Sequence, residues 1–186
     1  MTINNAFEIC DGWLSGARIC PSPNINERPE TADISLLVVH NISLPPGEFG
    51  GGYVQAFFQN KLDANVHPYF STIAGLTVSA HLFIERDGAI TQFAPFTARA
   101  WHAGASSFDG VPNCNDYSIG IELEGTDELP YSDAQYRALE KVTRQLMLTY
   151  PKLTPERITG HEHIAPGRKT DPGPAFDWQR FRRALE

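Results

Sequence analysis

Two of the six histidines in this 186-residue chain stand where a metal ligand can be built. His40 ends an apolar run, Ile34 to Val39, with the length of a buried strand, so its imidazole projects from a rigid base. His161 lies at the start of a Gly/Pro-rich stretch, 160 to 174, that also contains Asp171. Two neutral imidazoles and one carboxylate suit zinc, and three protein ligands leave a fourth position for water. His163 competes with Asp171 for the third place. If the segment is extended, alternation points the rings of His161 and His163 apart, which favours Asp171. No short metal signature joins these positions, so nothing in their spacing alone brings His40 to His161.

Zinc lowers the pKa of bound water to about 7 and polarises a carbonyl, so such a triad is suited to hydrolysis. Cleaving an amide needs two further groups: an acid/base that carries a proton to the leaving nitrogen, and a cation or donor for the developing oxyanion. In the run Ser118 to Glu124, strict alternation puts Ile119, Ile121 and Leu123 on one face and Gly120, Glu122 and Glu124 on the other. Glu122 can serve as the acid/base, and alternation leaves Glu124 equally eligible. Lys169, two residues before Asp171, can supply the cation; it and Arg168 also read as ordinary loop charges.

The elements that must position these groups follow from local patterns. Residues 1–33, rich in Pro, Asn and Asp, read as an extended arm packed on a domain spanning 34–186. Ile34 to Val39 is the first strand, and a loop with Pro45-Pro46-Gly47 and Gly50-Gly51-Gly52 leads to a short helix over Tyr53 to Leu62. Val78 to Ile84 and Ala89 to Phe93 flank Arg86-Asp87-Gly88 and predict an antiparallel hairpin. Ser132 with Gln135 resembles a capping box, and Tyr136, Leu139, Val142, Leu146 and Tyr150 continue at helical spacing to Pro151. A short terminal helix begins near Asp177, a plausible cap. Strands interleaved with helices give one α/β (mixed α+β) domain, a mixed sheet with helices against it.

Composition narrows the function classes. The net charge of −7 argues against a nucleic-acid partner, which calls for a basic footprint, and Arg180, Arg182 and Arg183 read as a solvated helix face. No run approaches the ~20 apolar residues that span a bilayer, and the N-terminus has no signal-peptide pattern, so a cytoplasmic protein without membrane association is expected. Cys10, Cys20 and Cys114, an odd set without CxxC spacing, read as reduced thiols that carry no site.

Longer motifs add a resemblance. Val38-Val-His-Asn-Ile-Ser-Leu-Pro-Pro-Gly-Glu-Phe-Gly-Gly51, Trp101-His-Ala-Gly104, Cys114-Asn-Asp-Tyr-Ser-Ile-Gly-Ile-Glu-Leu-Glu-Gly-Thr126 and the run from Gly160 to Trp178 strongly resemble the cytoplasmic AmpD-type 1,6-anhydro-N-acetylmuramyl-L-alanine amidases, within the zinc N-acetylmuramoyl-L-alanine amidase family. The likeness covers nearly the whole chain. It implies a peptidoglycan-recognition or phage-lysozyme-type amidase fold, with one Zn2+ held by His40, His161 and Asp171. It further implies Glu122 as the catalytic glutamate and Lys169 as the cation steadying the tetrahedral intermediate. Asn41 and Trp101 match positions beside the substrate, and Arg168 lies in the substrate-facing loop. Thr77 and Asn113 stand where family members carry arginine, a departure that bears on substrate contacts.

The implied reaction cuts the amide between the lactyl carbonyl of anhydro-N-acetylmuramic acid and L-alanine during cytoplasmic peptidoglycan recycling, with no obligate protein partner. In bacteria with an inducible β-lactamase it would also remove the inducing muropeptide. Two alternatives are a peptidoglycan-binding module without catalysis, which the same fold supports when ligands are lost, and an amidase acting on external polymeric wall.

Overall fold

Residues 7–186 are described by the computed structural model. Six strands form the main sheet: β1 (Arg18–Ile19), β2 (Leu36–Ile42), β3 (Leu82–Ile84), β4 (Ile90–Gln92), β5 (Ser118–Glu124) and β6 (Ile158–Gly160). Their spatial order is β6-β2-β5-β3-β4-β1, and every pairing is parallel except the β3–β4 hairpin. The helices are α1 (Tyr53–Phe58), α2 (Pro68–Ile73), α3 (Asp133–Thr149), α4 (His161–Ile164) and α5 (Trp178–Leu185). The sheet is mixed, as the interleaved pattern predicts. Among the described residues no helix is long and apolar enough to cross a membrane.

Alternation sorts the two faces of the sheet. Leu37 and Val39 of β2, Leu82 and Ile84 of β3, and Ile119, Ile121 and Leu123 of β5 share one apolar cluster with Tyr136, Leu139, Val142 and Leu146 of α3 and Phe181 and Leu185 of α5. Burying that face against two amphipathic helices supplies the main driving force, about 25 cal/mol per Å² of apolar surface removed from water. The opposite face is built differently. It carries Leu36 and Val38 in one small cluster and Phe83 in another with Phe57, Phe58 and Phe70, and between them it leaves His40, Gly120 and Glu122.

The capping box at α3 is complete: Ser132 Oγ accepts from the Gln135 N–H at 3.1 Å, and Gln135 Oε1 accepts from the Ser132 N–H at 3.0 Å. Asp177 caps α5 by accepting from the Arg180 N–H. Arg182 differs from the expected solvated face, donating to the carbonyls of Pro155 and Ile158, so part of that cluster is spent on packing.

Several boundaries differ from the sequence expectation. β2 runs past His40 to Ile42 because β5 pairs with it along its full length, Glu124 opposite Ile42. β3 starts at Leu82 rather than Val78, since Ser79 and His81 take the N–H groups of Trp101 and Gly120 on their side chains, Oγ and Nδ1, in place of a backbone carbonyl. α1 stops at Phe58, two residues before Asn60 takes up a left-handed conformation. The supposed loop from 160 onward follows a short strand, β6, and opens with helix α4, so the extended geometry expected for His161 and His163 is absent. Residues two apart on a helix still diverge by about 200°, and His161 is buried while His163 is exposed. Within the described part of residues 1–33, β1 adds the sixth strand and Ile25–Asn26 pairs with Arg99–Ala100.

Candidate metal centre

Strand register explains how residues far apart in sequence meet. In the parallel pair β2–β5, Glu122 lies opposite His40. In β2–β6, Gly160 lies opposite Val39, so the next residue, His161, emerges beside His40. Three consecutive strands thus deliver His161, His40 and Glu122 to the carboxyl end of the parallel sheet, where ligands of open α/β sheets bind. Asp171 is returned to this point by a backbone bond, its carbonyl accepting from the Glu162 N–H at 2.9 Å. Gly160 permits the approach, because a Cβ there would lie 2.8 Å from Cδ of Pro172.

The triad is tight. His40 Nδ1 is 3.0 Å from His161 Nδ1, and each of these nitrogens is 3.1 Å from Asp171 Oδ2. His161 Nε2 is 3.0 Å from the Ala103 carbonyl, an acceptor only, so it carries the proton and leaves Nδ1 with a lone pair. Burial pushes the pKa of His40 down to about 4, keeping it neutral near pH 7. Burial works to raise the Asp171 pKa, but a proton shared with the facing nitrogens of His161 and His40 holds the carboxyl well below its usual range, the stabilisation that a cation in the same place would supply. An anionic oxygen and two imidazole nitrogens crowded this closely repel one another unless a cation lies among them. The donor set, two imidazoles and one carboxylate on rigid elements, fits zinc.

Glu122 is buried at the edge of this cluster, Oε1 4.0 Å from His40 Nδ1 and Oε2 without a hydrogen-bond partner. Burial raises its pKa well above the usual carboxylate range; Asp171 adds to the rise and Lys169 opposes it. Glu124, its rival by alternation, is committed elsewhere: Oε1 accepts from the Gly50 N–H at 2.6 Å and Oε2 from the Arg86 N–H at 3.0 Å. Spacing could not distinguish them, because the difference lies in loops that arrive from residues 50 and 86.

The triad, Glu122, Asn41, Arg168 and Lys169 all line a groove of about 740 Å³. Lys169 is exposed at its rim. Arg168 donates to the carbonyls of Ala103 and Ala105, both at 2.6 Å, and so braces the loop beside the triad. Asn41 donates to Asp127 Oδ1 at 2.8 Å and the Pro172 carbonyl at 3.2 Å. Trp101 does not line the groove; its indole N–H donates to Asn26. Thr77 and Asn113 are exposed and outside the lining as well. Sequence reasoning gave no role to His102, which touches His40; the only signal was its place in Trp101-His-Ala-Gly104.

The N-acetylmuramoyl-L-alanine amidase family matches residues 30–174. A 1,6-anhydro-N-acetylmuramyl-L-alanine amidase AmpD from Citrobacter freundii is 60% identical over 172 residues, 92% of this chain and 91% of its own. A crystal structure of a selenomethionine AmpD derivative superposes with a TM-score of 0.93 at 57% identity, covering 96% of this chain and 99% of that one. The Escherichia coli amidase AmiD, solved in complex with the substrate anhydro-N-acetylmuramic acid-L-Ala-D-gamma-Glu-L-Lys, is 28% identical with a TM-score of 0.60, covering 87% of this chain and 65% of that one.

Proposed function

The chain belongs to the N-acetylmuramoyl-L-alanine amidase family, and on that premise we propose that it hydrolyses the amide between 1,6-anhydro-N-acetylmuramic acid and L-alanine in a zinc-dependent reaction of cytoplasmic peptidoglycan recycling. The observation that carries the reading is the convergence of His40, His161, Asp171 and Glu122 in one groove. In this proposal residues 34–186 hold every site residue, and residues 7–33 are the described part of the packed arm, residues 1–6 lying outside the described residues.

His40, His161 and Asp171 would hold the ion, and zinc, when bound, makes water acidic enough to ionise near pH 7 and polarises the scissile carbonyl. Glu122 takes a proton from the attacking water and returns it to the departing alanine nitrogen. Burial and the neighbouring Asp171 carboxylate raise its pKa above that of an exposed carboxyl, the direction that favours holding the proton between its uptake and its release. Lys169, at the rim of the same groove, supplies a positive charge for the carbonyl oxygen as negative charge develops. Asn41 and Arg168, both in the groove lining, border the sugar and peptide, with the arginine also holding the 103–105 loop in place, while Trp101 lies outside the lining and is given no substrate contact. The products are the anhydro sugar and a free stem peptide, so in bacteria with an inducible β-lactamase the reaction removes the inducing muropeptide.

The test is release of tripeptide from anhydro-N-acetylmuramyl-tripeptide by the purified protein, read by mass spectrometry beside polymeric sacculus. We expect release from the small substrate that a chelator stops and added zinc restores. No release by zinc-loaded protein would turn the assignment towards the binding module, and preferential attack on the sacculus would turn it towards an external wall amidase.

A further inference from the structure

His102 is 8% exposed, and the proposed chemistry makes no use of it. Its Nδ1 lies 2.9 Å from His40 Nε2, and its Nε2 lies 3.0 Å from Ser118 Oγ. The ring occupies the space above Gly120, where a Cβ would stand 2.5 Å from Nδ1 and 2.7 Å from Cδ2. Its backbone is pinned too: Asn115 Oδ1 accepts from the N–H groups of His102 at 3.1 Å and Ala103 at 2.8 Å. Ala103 is the residue whose carbonyl orients His161. Segment 102–103 therefore meets the outer nitrogens of both imidazoles of the triad.

A neutral imidazole carries one proton. If His40 Nδ1 offers a lone pair towards the triad, its proton sits on Nε2, and the ring atom it faces there is His102 Nδ1. His102 must then be unprotonated at Nδ1 and protonated at Nε2, donating to Ser118 Oγ. The reverse arrangement puts a proton on His40 Nδ1 and blocks it. The Ala103 carbonyl beside His161 can only accept, whereas His102 can accept or donate, so its own tautomer decides the state of His40.

We infer that His102, with Ser118 as its acceptor, is the positioning residue for His40: it accepts a hydrogen bond from His40 Nε2–H and thereby holds Nδ1 free for a divalent cation. This rests on reading the triad as a metal site and is independent of which muropeptide is cut.

The experiment compares full-length wild type, His102→Phe and His102→Asn, each stripped of metal and titrated with zinc against a chromophoric competing chelator. Phe keeps ring bulk and removes the acceptor; Asn is smaller, but its Oδ1 falls near the position of the ring Nδ1. Loss of an orienting partner weakens metal binding about 10- to 100-fold, the result expected for Phe, and Asn recovers most of that loss. A purely structural role predicts the opposite order, because Asn leaves the larger void. Phe binding zinc as tightly as wild type, or Asn binding as weakly as Phe, overturns the inference. If the Phe variant does not fold, imidazole nitrogen NMR of the zinc-loaded wild type decides: His102 protonated at Nε2 supports the inference, and protonation at Nδ1 overturns it. A wild type that binds no zinc removes both this inference and the metal reading, while zinc binding without peptide release defeats only the substrate assignment.

Discussion

Exchanging Glu122 for Gln separates what this side chain costs the fold from what it gives the reaction. The residue is 8% exposed, and its Oε2 is buried with no partner. Burial first, and the charge of Asp171 second, raise its pKa well above 4.5. A carboxyl with a raised folded pKa contributes stability that is fully present below its unfolded pKa and is lost as pH rises through the folded pKa. At neutral pH the metal-free wild type therefore carries a penalty that an amide of the same shape avoids. The amide still lacks a partner for its outer polar atom, a cost of about 1–3 kcal/mol that it shares with the neutral acid, so the gain is the cost of the charge, about 1.4 kcal/mol for each unit by which the folded pKa exceeds the unfolded one. Metal-free Glu122→Gln should thus gain about 1–3 kcal/mol at about pH 8, with the gain shrinking towards about pH 4.5. For a chain of this size that corresponds to roughly 2–12 °C in Tm, measurable by calorimetry in excess chelator. In the zinc-loaded protein the same exchange removes the proton carrier, and kcat should drop about a hundred- to ten-thousand-fold. A variant no more stable than wild type at about pH 8, or equally favoured at both pH values, refutes the argument from burial. Retention of more than about a tenth of the activity refutes the catalytic role.

Gly120→Ala puts a methyl 2.5 Å from His102 Nδ1 on a backbone bonded to β2 on one side and to His81 on the other. Overpacking of this kind costs about 1–3 kcal/mol, and zinc affinity, followed by chelator competition, should fall with it; unaltered affinity would contradict the orienting role of His102. His81 has its pKa pushed from 6.5 down to about 3, chiefly by burial and then by Arg28. The unfolded chain takes up a proton that the folded chain refuses, so stability falls as pH drops below about 6.5, by roughly 2 kcal/mol for this group at about pH 5. Urea titrations at the two pH values should show that loss in wild type and less of it in His81→Gln; identical acid limbs would count against it. Ser132→Ala removes the capping box of α3 and should cost about 0.5–2 kcal/mol with kcat unchanged; thermal unfolding without a loss would mean that the cap contributes nothing.

Where an element's pattern is local, the chain announces it. The β3–β4 hairpin, the α3 cap and stripe, and the alternation of β5 depend on neighbours a few residues away, and the structure has all of them. α2 carries little signal in the sequence because its cap is His67, whose ring Nδ1 accepts from the Tyr69 N–H, in place of the usual Ser, Thr, Asp or Asn. β6 carries none, because three residues, Ile158–Gly160, are too few to show a period.

By itself the sequence determined the type of chemistry: imidazole, carboxylate and ammonium groups suited to zinc-assisted amide hydrolysis, in segments long enough to resemble a known family. The resemblance already favoured Glu122 over Glu124, but what turns Glu124 away from the site, and how His40 is held, only the tertiary structure decided. Residue types set which atoms can bind or carry a proton, and those are properties of single side chains. Orientation arises from contacts across the fold, such as Gly50 and Arg86 on Glu124, or His102 on His40, and spacing along the chain holds no record of which loop will come to rest against which strand.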